Sequence, residues 1–260
     1  MKPAIVTLTT DFGTRGSYVA AMKGTILGIA PDVRLVDVSH EIAPQNVREA
    51  ALCLWEVFRH FPPATIHVVV VDPGVGGARR LLCVEMHGQV FLAPDNGVLS
   101  WVAREAPAVN RFVLAEPRFW RPTVSTTFHG RDILAPVAAN LSRGACPAEL
   151  GPATPDWTTF PWPAVVRTAD ELCGEVLSVD RFGNLITNIA AADLPPNPSP
   201  TARVICAGTA APLARTYCDA ASGALVSLIG SSGLLEIAMR DGSAVSQLRC
   251  AAGERVVVSR

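Results

Sequence analysis

Asp72 and Arg79 stand seven residues apart in VVDPGVGGARR, residues 70–80, at the end of an apolar run. A carboxylate and a guanidinium at that spacing can pair if the loop between them folds back, and Pro73 with Gly74, Gly76 and Gly77 gives the loop the dihedrals to do so. An ordinary surface ion pair is an equally good reading of these residues. The loop lacks the Lys and Ser/Thr of a Walker phosphate loop and matches no GxGxxG spacing. His129, in TFHGRD at 127–132, is a side chain that titrates near neutrality or simply a residue opening a helix. Asp11, in TLTTDFG, leaves the first strand where it can accept hydrogen bonds from a vicinal diol such as that of a ribose, or cap the next helix. Asp95 and Asn96 in APDNG read best as helix caps. Asp180, Phe182 and Asn184 in SVDRFGNLITNI, and Ser231 in GSSGLLEIA, are turn residues or binding residues. HExxH, CxxC and GxSxG are absent, and the five histidines are dispersed, so zinc hydrolysis and a serine elbow have no support.

Positioning these groups requires a scaffold, and the hydrophobic pattern predicts an α/β one. Strands are expected at 4–9, 33–38 and 66–71, the last apolar enough to be buried on both faces. Helical spacing follows DFGTRG up to Pro31, recurs from Val47 to Phe61, and returns from about Gly130 to Leu141. The alternation predicts a mostly parallel sheet with helices on both faces over 1–146, and ligands at its strands' carboxyl ends. Residues 147–170, with five prolines and two tryptophans, read as a linker. Short strand-like runs over 171–260 (GEVLSVD, LITNI, ARVICAG, ALVSLIG, LLEIAM, RVVVS) predict a smaller all-β, barrel-like domain, with PPNPSP at 195–200 as a surface loop.

Composition narrows the partners. The 260 residues carry 22 basic and 23 acidic side chains, a net charge of −1, which gives no basic excess for nucleic acid. No stretch approaches a membrane span, and the start is too short an apolar run for a signal peptide. Seven scattered cysteines, odd in number, fit free thiols in a cytoplasm better than a disulfide framework.

Taken in order, TLTTDFG, VVDPGVGGARR, APDNG, TFHGRD, SVDRFGNLITNI and SSGLLEIA resemble the S-adenosyl-L-methionine hydroxide adenosyltransferases, relatives of the fluorinase and chlorinase enzymes, over nearly the whole chain. The resemblance implies hydrolysis of S-adenosyl-L-methionine to adenosine and L-methionine, by activated water or hydroxide at the ribose C5′. It implies an N-terminal α/β domain, a C-terminal barrel-like domain, and a homotrimer with active sites at subunit interfaces. It implies a catalytic triad of Asp72, Arg79 and His129, ribose binding by Asp11, adenine contacts from Phe182 and Asn184, and contacts to the methionine amino and carboxylate groups from Asp180 and Ser231. S-adenosyl-L-methionine is then substrate, and no cofactor or metal is implied.

Two departures separate the chain from the halogenating relatives. They carry Tyr where this chain has Asp72, and the fluorinase has a Ser where this chain has Gly130; the fluorinase's inserted loop is also missing, since only residues 81–92 join DPGVG to APDNG. Water is the expected nucleophile. Arg79 stays protonated, leaving His129 as the triad member able to accept a proton near neutrality, with Asp72 orienting both. Alternatives are a chloride-using adenosyltransferase, opposed by the charge of Asp72, and a non-catalytic module binding adenosine or S-adenosylmethionine.

Overall fold

The computed structural model describes residues 3–105, 108–168, 171–195 and 202–259. The chain divides into two compact units, Met1–Phe160 and Pro161–Arg260.

The first unit runs β1 (Ile5–Thr10), α1 (Tyr18–Ile29), β2 (Arg34–Ser39), α2 (Val47–Val57), β3 (Ile66–Val70), β4 (Leu81–Met86), β5 (Gln89–Pro94), α3 (Ser100–Glu105), β6 (Asn110–Val113) and α4 (Ala135–Ser142). Its sheet has the order β2-β1-β3-β5-β4-β6, with parallel pairing from β2 to β5 and antiparallel pairing on both sides of β4. Five strands therefore point one way and β4 alone opposes them. Every residue of β3 is buried, as its continuous apolar run predicted. On one face Val6, Leu8, Val68 and Val70 pack with Met22 and Ile26 of α1 and Val137 of α4. Thr7, His67 and Phe91 face the other way, where Phe58, just past α2, meets Phe91 edge-on. Asn46 caps α2, its side chain accepting from the Glu49 N–H, while the Glu49 carboxylate accepts from the Asn46 side chain.

The reversal at β4 escaped the sequence reading, which took residues 81–92 as a connector. They form a hairpin whose two turn residues, His87 and Gly88, both have positive φ (54° and 70°), the geometry that matches the twist of paired strands. The expected linker also differs. Residues 147–160 lie against the first unit: the Val113 N–H donates to Pro152 O, the Thr154 N–H to Arg111 O, and the Thr158 N–H to Asp95 Oδ1. Prolines cannot donate to a ladder, so the stretch shows no strand pattern, yet its carbonyls still accept from the sheet edge. The division between units falls at Phe160/Pro161, inside the stretch read as a linker.

The second unit contains β7 (Val166–Arg167), β8 (Glu171–Val179), β9 (Leu185–Ala190), β10 (Arg203–Cys206), β11 (Thr209–Pro212), β12 (Leu225–Ile229), β13 (Leu234–Met239), α5 (Ala244–Leu248) and β14 (Arg255–Ser259). The antiparallel sheet has the order β11-β10-β14-β8-β9-β13-β12, with β7 added to β8. A bridge between Leu213, just past β11, and Ser227 of β12 joins the two ends, giving a nearly closed barrel around Val176, Leu185, Ile189, Ile237 and Val256. The surface loop expected at 195–200 falls, but for Pro195, outside the described residues. Among the described residues no helix is long and apolar enough to cross a membrane. All seven cysteines are free.

Candidate active site

β1 and β3 are adjacent parallel strands, so Asp11 and Asp72 emerge at neighbouring carboxyl ends. Past β3 the loop folds back as the sequence allowed. Arg79 Nε donates to Asp72 Oδ1 and Oδ2 at 3.2 and 3.0 Å, and Arg79 Nη2 to Oδ2 at 2.6 Å. The Asp72 side chain is 6% exposed and that of Arg79 12%, so this is a shielded, two-pronged pair rather than a solvated surface one. Gly76 makes the fold-back possible: its φ is +77°, and a Cβ there would collide with the Thr126 carbonyl oxygen.

That contact lays the loop against residues 121–132, which carry His129. Asp132, fully buried, anchors this second segment by accepting from the Ser125 N–H at 2.9 Å, Arg121 Nη1 at 3.0 Å and Arg131 Nε at 2.7 Å. Burial by itself would raise the Asp132 pKa, but the bonds from Arg131, Ser125 and Arg121 outweigh it and hold the carboxyl down at about 2. His129 directly precedes a π-helical turn, Gly130–Leu134, but its side chain caps nothing. It reaches Arg79 instead, with Nη2 to His129 Nδ1 at 2.7 Å.

A guanidinium has no acceptor, so Nδ1 of His129 must accept, and the ring proton sits on Nε2. Burial first, and then the charge of Arg79, lower the His129 pKa from its ordinary value, with Asp72 and Asp132 pulling weakly the other way. This tautomer differs from the one in which Nε2 is free to take a proton from water. For Nε2 to accept, the proton would have to sit on Nδ1, pointing at an Arg79 N–H. The three side chains thus present donors, His129 Nε2–H and the Nη1 hydrogens of Arg79, with Asp72 balancing the charge.

Asp11 does not cap α1, which opens seven residues later behind Ser17. Its Oδ2 accepts from the Gln45 N–H at 2.8 Å, and its Oδ1 makes no bond to the described residues. Phe12 and Phe128, neighbours of Asp11 and His129, meet edge-on at 5.7 Å, and the half-exposed Tyr18 ring packs on both. The sequence reading missed this aromatic trio, although an aromatic beside each candidate was a usable signal. Asp95 and Asn96 are not helix caps, because α3 begins at Ser100. Asp95 accepts from Arg80 Nε and Nη2 at 2.9 and 2.6 Å, and Asn96 Nδ2 donates to Val71 O at 2.9 Å, pinning the residue before Asp72.

In the second unit Asp180, Phe182, Asn184 and Ser231 line one pocket of about 670 Å³. Asp180 Oδ1 accepts from the N–H groups of Phe182 and Asn184 at 2.9 and 2.8 Å, and Oδ2 from Asn184 Nδ2 at 2.9 Å. The turn reading of Asp180 and Asn184 is therefore correct, and it leaves Asn184 Oδ1 as the acceptor. Phe182, 77% exposed, offers a bare aromatic face, and Ser231 makes no bond to the described residues. Glu236 and Tyr217 share the pocket and were missed. Tyr217 Oη donates to Glu236 Oε2 at 2.7 Å; burial raises the Glu236 pKa, and burial with the nearby carboxylate raises that of Tyr217 to about 12. The signal was a lone acid inside the apolar LLEIAM. Among the described residues no three His, Cys, Asp or Glu side chains are placed to hold a metal ion.

An α/β unit with an Asp–Arg–His relay at a strand exit, followed by a barrel-like unit with an amide- and carboxylate-lined pocket, defines a two-domain class of enzymes. Residues 6–151 match the SAM hydroxide adenosyltransferase N-terminal domain and residues 174–257 its C-terminal domain, and the chain belongs to this family. It is 38% identical over 257 residues to an (R)-S-adenosyl-L-methionine hydrolase of Salinispora arenicola, covering 98% of this chain and 97% of that one. A fluorinase of Nocardia brasiliensis is 27% identical, covering 98% and 96%. The crystal structure of a conserved protein from Thermotoga maritima superposes with a TM-score of 0.92 at 35% identity, covering 98% of this chain and all of that one.

Proposed function

We infer that this chain hydrolyses S-adenosyl-L-methionine to adenosine and L-methionine. The observation that carries the reading is the shielded Asp72–Arg79–His129 relay at the exit of β3, in a chain whose two units both match the family. The C5′–S bond breaks with both electrons passing to sulfur, a C5′–O bond forms from water, and one proton leaves to solvent. Methionine departs as a neutral thioether, so no acid is needed. The relay holds the nucleophile with hydroxide character by donation from Arg79 and His129 Nε2, in line behind C5′, while Asp72 offsets the repulsion between guanidinium and sulfonium.

Binding is assigned to the remaining residues. Asp11 Oδ1 takes the ribose hydroxyls, the Phe182 ring stacks on adenine, Asn184 Oδ1 accepts from the adenine amine, and Asp180 and Ser231 hold the amino and carboxylate groups of methionine. The enzyme works as a homotrimer with sites at its subunit interfaces, in the cytoplasm, with its substrate as the sole small molecule and no resident cofactor. The Asp72 carboxylate, paired with Arg79, cancels the positive charge that would otherwise hold a chloride ion there. Gly130 is also packed: a Cβ would lie 3.0 Å from Val70 Cγ1 and 3.3 Å from Met22 Sδ, so the serine with which the fluorinase hydrogen-bonds its anion would need these side chains to give way.

Chromatography of the protein incubated with S-adenosyl-L-methionine, with and without chloride, tests the reading. Equal adenosine and methionine, independent of chloride and abolished by Asp72→Ala, is the expected result. 5′-Chloroadenosine would move the chain to the halogenating branch, and tight binding without product would make it a binding module.

A further inference from the structure

We propose that His40, at the exit of β2, is a positioning residue that sets the Asp11 carboxylate for the ribose hydroxyls, an inference resting on the reading of Asp11 given above. β1 and β2 pair in parallel, and their register shifts between Leu8 and Thr9, which re-aims the last residues of both strands. The shift brings the His40 ring, 5% exposed, against Thr10, which is fully buried. Thr10 Oγ1 accepts from the Phe12 N–H at 3.3 Å and lies 2.9 Å from His40 Nδ1; the Asp37 carboxylate beside Nε2 can only accept, which puts the ring hydrogen on Nε2 and makes Thr10 the donor to Nδ1. The His40 carbonyl accepts from the Gly13 N–H at 2.7 Å. One residue thereby grips the turn on both sides of Asp11.

The rest of the network orients His40 in turn. With Nδ1 accepting, the ring proton is on Nε2, 3.0 Å from Asp37 Oδ1 but off the line of a good hydrogen bond, so that this contact is chiefly electrostatic. Asp37 is held from its other side by Lys23 Nζ at 2.6 Å. The loop that His40 opens also supplies the Gln45 N–H that occupies Asp11 Oδ2, while Oδ1 makes no bond to the described residues. A Thr–His–Asp chain of this kind is not a nucleophile here, because Thr10 has no exposure to substrate. Its effect is to narrow the orientations open to Asp11 before the ligand arrives, which improves binding of the diol in substrate and product alike.

The two amide replacements of histidine separate this role from simple packing. His40→Asn places a polar atom where Nδ1 stood and keeps the Thr10 contact; His40→Gln places one where Nε2 stood and loses it. We expect His40→Gln to raise KM for S-adenosyl-L-methionine and the adenosine dissociation constant together by roughly tenfold, with kcat within about threefold, and His40→Asn to restore both. Thr10→Val removes the same hydrogen bond from the other end with little change of shape, and it must reproduce the effect of His40→Gln. Unchanged adenosine affinity in a folded His40→Gln or Thr10→Val protein, while Asp11→Ala weakens it, overturns the proposal. Unchanged affinity in Asp11→Ala overturns instead the reading of Asp11 on which it rests.

Discussion

At the scale of single residues, the proposed chemistry turns on which nitrogen of His129 carries its proton. Because Arg79 can only donate, the ring is neutral with Nδ1 accepting, and acid acts on it in one direction. Its pKa lies below the ordinary value, so the relay is intact at neutral pH and is lost as pH falls through that lowered pKa, when a proton on Nδ1 would confront Arg79. With no basic site for the water's proton, kcat/KM should also climb about tenfold per pH unit as hydroxide becomes available, without the plateau near neutrality that a histidine base produces. A pH–rate profile distinguishes the two. Arg79→Lys keeps the charge but loses the fork that joins Asp72 to His129, and we expect kcat to fall by about 10²–10³ while adenosine binding changes little, measured by steady-state kinetics and calorimetry. This arrangement was half legible beforehand. Asp72, Arg79 and His129 could be named, but the tautomer depends on a 2.7 Å contact between residues 50 apart in the chain.

At the scale of elements, the loops after β1 and β3 work because something holds them. Gly76→Ala combines a positive φ with a collision against Thr126 O, and should cost about 2 kcal/mol of stability and a larger share of kcat, read by denaturant melts and turnover. His67, buried near the start of β3, is bonded through Nδ1 to Thr7 Oγ1 at 2.8 Å and stacked on Phe91 at 4.8 Å. Burial depresses its pKa from 6.5 to about 4. The unfolded chain therefore binds the extra proton between those values, and stability should fall by about 3 kcal/mol as pH drops from 6.5 to 4. Denaturant titrations across that range should show the slope, reduced in His67→Phe. Periodicity found β1, α1, β2, α2 and β3 to within a few residues. It missed the β4–β5 hairpin because a His-Gly turn is a weaker signal than Asn-Gly, and it misread residues 147–160 because carbonyl acceptance at a sheet edge leaves no hydrophobic pattern.

At the scale of the whole molecule, the proposed function assigns different tasks to residues of the two units. Asn184→Ala in the pocket of the second unit should raise KM and weaken adenosine binding with kcat nearly kept, whereas Asp72→Ala in the first should lower kcat with binding nearly kept. Sedimentation equilibrium should give three times the chain mass if the proposed trimer forms. The sequence alone determined the α/β-then-β order and the family the chain belongs to, and it named the residues to which the proposed chemistry is assigned, because burial patterns and rare side-chain combinations are local properties of the chain. Tertiary structure alone decided that β4 runs against its neighbours, that the far ends of the second sheet meet, that Asp95 and Asn96 brace loops instead of capping a helix, and that His129 turns Nδ1 to Arg79. Each of these depends on partners distant in sequence, and a hydrogen bond's direction is set by what stands at its other end.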